Sequence, residues 1–215
     1  MLIAGTVDLA ATLKKLAVRR PVFHSERDFQ VALAWEVQTA DPHMDVYLET
    51  RPAEGVHLDL AFERPDLESY TAVELKYFTR AWGRPVRGQQ YDLKNQSAHD
   101  YGRYGVVKDV WRVEKFTRLR PGSNGAVIAL TNDDRYWNPS SGSTASDAAF
   151  RIGEGVVLEG NREWGRPPAS VERNRPLKLT GQYEMRWSEF STFEGDSLLR
   201  QLVIEVPGVT VSGAG

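Results

Sequence analysis

Three charged residues interrupt runs that otherwise read as buried strands. Asp59 sits in VHLDLAF (56–62), and Glu74 and Lys76 sit in YTAVELKYF (70–78). Residues two apart in a strand share a face. Glu74 and Lys76 are therefore neighbours, and antiparallel pairing of the two runs brings Asp59 opposite or diagonal to Glu74. Two adjacent carboxylates repel, more so when desolvated. A divalent cation removes that cost, because Mg²⁺ takes hard oxygen ligands, often one or two carboxylates completed by waters and phosphate oxygens. A neighbouring lysine can orient or deprotonate a water, or stabilise charge on a phosphate. Those parts suffice for metal-assisted hydrolysis of a phosphodiester. The plainer alternative is a surface hairpin with a solvated Glu–Lys pair.

The elements that must position these residues follow from periodicity and punctuation. TVDLAATLKKLAV (6–18) predicts a helix capped by Thr6 or Asp8, ended by Arg19-Arg20-Pro21. SERDFQVALAWEVQT (25–39) predicts a second, with Ser25 as N-cap, Asp28 as partner in a weak capping box, and Phe29, Leu33 and Val37 as inner stripe. Glu26 lies in its first turn, where an acid suits the helix dipole. Glu36 reads as solvated. DVYLETR (45–51), VHLDLAF and YTAVELKYF form an antiparallel three-strand meander, with Val56, Leu58, Leu60 and Phe62 expected on one face and His57, Asp59 and Ala61 on the other. Residues 92–116 read as helical, weakened by Gly102 and Gly105 and open to a break into two. AVIALTN (126–132) suits a strand covered on both faces. Further on come a loop (133–146), a short helix at 147–152 capped by Ser146, and strand-like runs at 155–160, 177–187 and 201–206, with fraying after about residue 208.

Composition bounds the partners. The chain has 215 residues and no cysteine, which removes disulfides and thiolate zinc sites and fits a cytoplasmic location. The four histidines include no HxxxH pair. No apolar run is long enough for a membrane span, and the first residues lack the order of a secretory signal. Between Lys76 and Arg120, eleven Lys or Arg meet four acids, a net +7 inside a chain of formal net charge −2. A basic segment in an acidic protein is either a phosphate-binding face or a solvated helix of mixed charge. Trp82 and Trp111 lie among those cations and could stack on bases, although Trp111 also suits the core. Trp137 and Trp164 read as exposed.

Asp59, followed fifteen residues later by Glu74-Leu75-Lys76, resembles the D…(D/E)xK signature of the restriction-endonuclease-like superfamily of nucleases. The element order from 25 to 132, helix, three-strand meander, helix, strand, is also similar to that family's. Many members carry a glutamate on the helix before the meander, where this chain has Glu26. Two departures stand out. Leu58, not proline, precedes Asp59, and Gln96 to Tyr101 is one residue longer than the family's Q-x-x-x-Y. The resemblance implies an α/β fold: a central mixed sheet with an antiparallel three-strand meander, flanked by helices, and a C-terminal β-rich extension. It implies a nuclease-like core over 1–132 with an N-terminal helix, and a loop and β-rich extension over 133–215 packed on the same domain.

The function so implied is hydrolysis of phosphodiester bonds, in DNA above all, with Mg²⁺ or Mn²⁺. Asp59 and Glu74 would bind the metal, with the Leu75 carbonyl, and Glu26 would bind a second ion or a metal-bound water. Lys76 would orient or activate the water. Arg80, Arg84, Lys94, Gln96 and Arg103 are candidate substrate contacts. His57 is a second-sphere candidate or a polar residue at the sheet rim. A homodimer is an open alternative, because related enzymes that cut both strands often pair. The rival function is a catalytically silent nuclease-fold module that binds nucleic acid or a partner protein in a defence or mobile-element system.

Overall fold

A computed structural model of the chain describes residues 1–138, 145–166 and 175–208. A two-strand ladder, β1 (Leu2–Ile3) and β2 (Val7–Asp8), precedes α1 (Leu9–Arg19). The first helix thus starts at Leu9 rather than at residue 6. Asp8 caps it, accepting from Ala11 N–H. Helix α2 spans Glu26–Ala40, with Ser25 Oγ accepting from Asp28 N–H. Asp28 reaches back as expected, but to His24 N–H and the Arg20 guanidinium.

The meander follows as β3 (Asp45–Ala53), β4 (Val56–Arg64) and β5 (Ser69–Phe78). Two short strands, β6 (Pro85–Val86) and β7 (Gln89–Gln90), close a hairpin in the loop. Helix α3 is one element, His99–Leu119. Residues 92–98 are not helical, while Gly102 and Gly105 are carried within the helix. Then come β8 (Asn124–Thr131), a single 3₁₀ turn at Ala148–Phe150, and β9 (Val157–Arg162). Ser146 does not cap that turn: Asp147 holds the cap position without a side-chain bond. The run expected at 177–187 breaks into β10 (Leu177–Glu184) and β11 (Trp187–Phe193), and β12 (Asp196–Val206) ends the described chain. The fraying expected beyond residue 208 lies outside the described residues, as do residues 139–144 of the expected 133–146 loop.

Six strands form one mixed sheet in the order β11-β12-β8-β5-β4-β3. Only β5 and β8 are parallel, and α3 supplies the crossover such a pair requires. The C-terminal strands extend this sheet, since β12 pairs along β8 from Arg200 to Val206. Strands β9 and β10 form a separate hairpin. One core lies under α1 and α2, where Leu13, Phe29 and Leu33 meet Leu60, Val73, Leu75 and Ile128. The other lies under α3, where Val106, Val110 and Phe116 meet Ala72, Val127, Ile204 and the β9–β10 hairpin. At Gly125 a Cβ would stand 2.4 Å from Val113 Cγ1, so glycine lets α3 approach the sheet.

The alternation expected along β4 does not hold. Leu60 and Phe62 pack on the α1–α2 side, but Val56 and Leu58 pack on the α3 side. The strand turns over at Asp59. Its partner there is Glu49, bracketed by the pairs Leu48–Leu60 and Thr50–Leu58, with φ of +52°. A left-handed residue inside a strand is a local irregularity that re-aims neighbouring side chains. Two surface expectations also fail. Glu36 is only 2% exposed and takes Lys15 and Arg19. Trp164 is buried against Tyr104 and Phe150.

Candidate functional site

Strands β4 and β5 pair from Arg64–Ser69 up to Leu60–Val73 and then part. Beyond that point Glu74 to Phe78 remain paired with β8 on one edge only. The other edge presents backbone N–H and C=O groups into a fork. An unpaired buried amide is costly, so something must satisfy it. Asp59 Oδ2 accepts from Leu75 N–H at 2.7 Å, and Glu26 Oε2 accepts from Tyr77 N–H at 2.9 Å. The Leu75 carbonyl accepts from Lys76 Nζ at 2.9 Å. Two carboxylates and an ammonium thus complete the broken ladder. Gln30, buried on α2, donates to the Asp59 carbonyl at 2.5 Å and to Glu49 Oε1 at 3.0 Å, which ties the turned-over strand to the helix.

Glu74 projects to the α3 side and is fully buried. Its Oε1 accepts from Arg112 Nη1 at 2.5 Å, while Oε2 has no partner. Lys76 Nζ lies 2.5 Å from Asp109 Oδ2, and Arg112 also approaches Asp109 Oδ1 at 3.2 Å. Asp109 and Arg112, three apart on α3, share a helix face and brace both charged residues of β5. The sequence showed them only as charges in a mixed helix. The signal was their opposite sign at i, i+3 spacing, which reads equally as a solvated surface pair.

The protonation states follow from burial set against neighbours. Burial, then Asp109 and Asp59, push the Glu74 carboxyl far above the carboxylate range, and Arg112 offsets only part. Burial raises Glu26 as well, against the opposing pull of Lys76 and the Tyr77 N–H. Burial works against the charge on Lys76, but Asp109, Glu26 and Asp59 outweigh it and hold the ammonium protonated. The cluster holds four carboxyl groups, Glu26, Asp59, Glu74 and Asp109, against two cations, Lys76 and Arg112. Fully ionised, it is short of two positive charges. Its donors are all hard oxygen, the type that suits Mg²⁺ or Mn²⁺. Among the described residues, no three His, Asp or Glu side chains form an assembled metal centre. Asp59 and Glu26 are turned onto backbone amides, and Glu74 onto Arg112.

The expected substrate contacts are scattered. Arg80 pairs with Asp134, Arg84 with Glu194, and Lys94 with Asp92, all exposed. Arg103 is largely buried and donates through Nε and Nη2 to Asp147, a structural tie between α3 and the 3₁₀ turn. Most of the positive charge of 76–120 is thus matched by acids of the folded chain. Gln96 and Lys94, with His24, Glu26 and Tyr77, line a cleft of about 370 Å³ that opens at Glu26. His57 is exposed. No helix among the described residues is long and apolar enough to cross a membrane. Comparison with protein-family models, curated proteins and solved structures finds no match for this chain.

Proposed function

We propose that the chain is a nuclease of the restriction-endonuclease-like type, hydrolysing phosphodiester bonds in DNA with Mg²⁺ or Mn²⁺. The carrying observation is the unpartnered, buried Oε2 of Glu74 beside Asp59 at the β4–β5 fork. A buried carboxyl oxygen without a partner suits a cation, whose binding would displace the proton that burial favours there. Asp59, Glu74 and the Leu75 carbonyl would hold the ion, with Glu26 at its side. When bound, the ion supplies Lewis-acid stabilisation of the phosphate and a more acidic water. Lys76, kept charged by Asp109, orients that water and stabilises negative charge on the phosphate, rather than acting as the base. Asp109 and Arg112 position Lys76 and Glu74. The test is a cleavage panel of linear, nicked, branched and single-stranded DNA and RNA with Mn²⁺. Asp59→Ala should abolish cleavage and Lys76→Ala should lower it by about 10²–10³, each leaving the fold intact; unchanged cleavage by both overturns the mechanism.

One observation favours a second reading, a silent module that binds nucleic acid or a partner protein. Both β5 charges are already engaged by α3, Lys76 with Asp109 and Glu74 with Arg112. Calorimetric titration of Mg²⁺ and Mn²⁺ into wild type and Asp59→Ala separates the two. Heat that depends on Asp59 supports the enzyme, and none supports the module.

A further inference from the structure

Next to the fork, on the α3 side, lies a second cleft of about 520 Å³. That volume falls in the range of roughly 300–1,000 Å³ usual for small-ligand sites. Four of its lining residues are aromatic: Phe78 of β5, Tyr101 and Tyr104 of α3, and Tyr136 after β8. Phe78 and Tyr136 stack on each other with centroids 4.2 Å apart. The carboxamides of Asn95 and Gln96 stand at its exposed rim, and Lys108 forms part of its wall. None of the lining residues is acidic.

Two glycines shape this space. A Cβ at Gly102 would stand 2.4 Å from Tyr136 Oη and 3.1 Å from Phe78 Cε1, so the aromatic wall needs glycine there. A Cβ at Gly105 would meet Lys76 Cε at 3.6 Å, so one lining residue of the cleft lies beside the lysine of the fork. Phe78 is two residues past Lys76 on the same strand, and so on the same face.

Flat aromatic walls, side-chain amides that both donate and accept, an ammonium and no carboxylate together match one chemical class. A nucleobase offers a π-face for the rings, a hydrogen-bonding edge for the amides, and phosphates for the lysine. We infer that this cleft receives an unpaired nucleobase, so that the chain selects DNA carrying a bulged or single-stranded nucleotide over uniform duplex. The inference rests on the nuclease-type reading for the strand held at the fork, and it adds the substrate class.

The test is fluorescence anisotropy with the full chain in Ca²⁺, using a labelled duplex with one unpaired adenine and the same duplex fully paired. The bulged duplex should bind at least about tenfold more tightly, the order expected for stacking one base on aromatic side chains. Ala98→Trp, at an exposed rim position, fills the cleft, and Asn95→Ala removes a base-edge partner. Each should cut the bulge preference sharply, leaving affinity for paired duplex unchanged, with circular dichroism checking the fold. Equal affinity for the two duplexes, no binding of either, or a preference that survives both variants overturns the inference. Cleavage with Mn²⁺ separates it from the function proposed above. Bulge preference without cutting leaves the cleft standing and removes the nuclease. Cutting of both duplexes without preference does the reverse.

Discussion

Arg112 Nη1 stands 2.5 Å from Glu74 Oε1, and the other oxygen of that carboxylate is buried without a partner. A helix cation therefore half-satisfies a strand carboxyl group. The four-carboxyl cluster around the pair, fully ionised, is two positive charges short of balance, and the pair can be tested from both of its ends.

Arg112→Met removes the guanidinium and leaves Glu74 buried near Asp109. Arg112 also pairs with Asp109, and breaking a buried ion pair from one side costs about 3 kcal/mol or more. The variant should be destabilised by that order in urea unfolding at neutral pH in EDTA. Mn²⁺ should then raise its melting temperature more than that of wild type, because a bound ion stabilises the folded state by mass action. A variant that Mn²⁺ leaves unmoved would show that these oxygens do not take the ion.

Glu74 also sets a pH dependence. Its pKa in the folded chain is raised above the ordinary 4.5 by burial, then by Asp109 and Asp59. Between those two values the folded chain binds more protons than the unfolded chain. The contribution to stability is therefore complete below the ordinary pKa and is lost as pH rises through the raised one. Glu74→Gln keeps an acceptor for Arg112 and removes this loss. In EDTA, the variant should gain stability steadily relative to wild type between about pH 5 and about pH 9, at up to about 1.4 kcal/mol per pH unit. A difference that stays constant with pH refutes the assignment. The same variant should lose cleavage.

Glu114 gives a prediction independent of function. Its carboxylate, buried on α3, accepts from Thr180 N–H, Gly181 N–H and Tyr183 O–H, at 2.7 to 3.0 Å. These bonds pin the irregular part of β10, between Lys178 and Gln182, to the helix. Glu114→Ala orphans those donors, at a cost of about 1–3 kcal/mol each where they stay dry. Loss of at least about 3 kcal/mol in urea unfolding, with earlier proteolysis of the hairpin, is expected. Wild-type stability would overturn the pin.

What was legible in the sequence depended on period and on local chemistry. Ser25 as cap, the meander, and the placing of Glu74 and Lys76 on one face all follow from rules that span a few residues. Three features lay beyond such rules. The turnover of β4 at Asp59 depends on Glu49, on another strand, adopting a left-handed conformation. Alternation within one strand cannot register that. Asp59 consequently reaches the fork by a different route than simple alternation suggested, and caps Leu75 N–H. Asp109 and Arg112 carry no local mark that separates a buried brace from a solvated pair. Glu36 failed the other way: it looked solvated, yet α1 folds over it and supplies Lys15 and Arg19.

Lys76 and Asp109 supply the last test, because they separate orientation from binding. Lys76 Nζ is fixed between Asp109 Oδ2 and the Leu75 carbonyl, so its position at the fork is set before any substrate arrives. Removing one preorganised donor from a site of developing charge typically costs about 10²–10³ in kcat. Lys76→Ala should show a loss of that order. Asp109→Asn retains the ammonium but weakens the carboxylate that aims it. It should lower kcat by about tenfold or more with KM nearly unchanged, since it touches no substrate. A rise in KM at constant kcat would instead place Asp109 in substrate binding. If kcat and KM both hold at wild-type values, the α3 brace is structural only, and Lys76 finds its place without it.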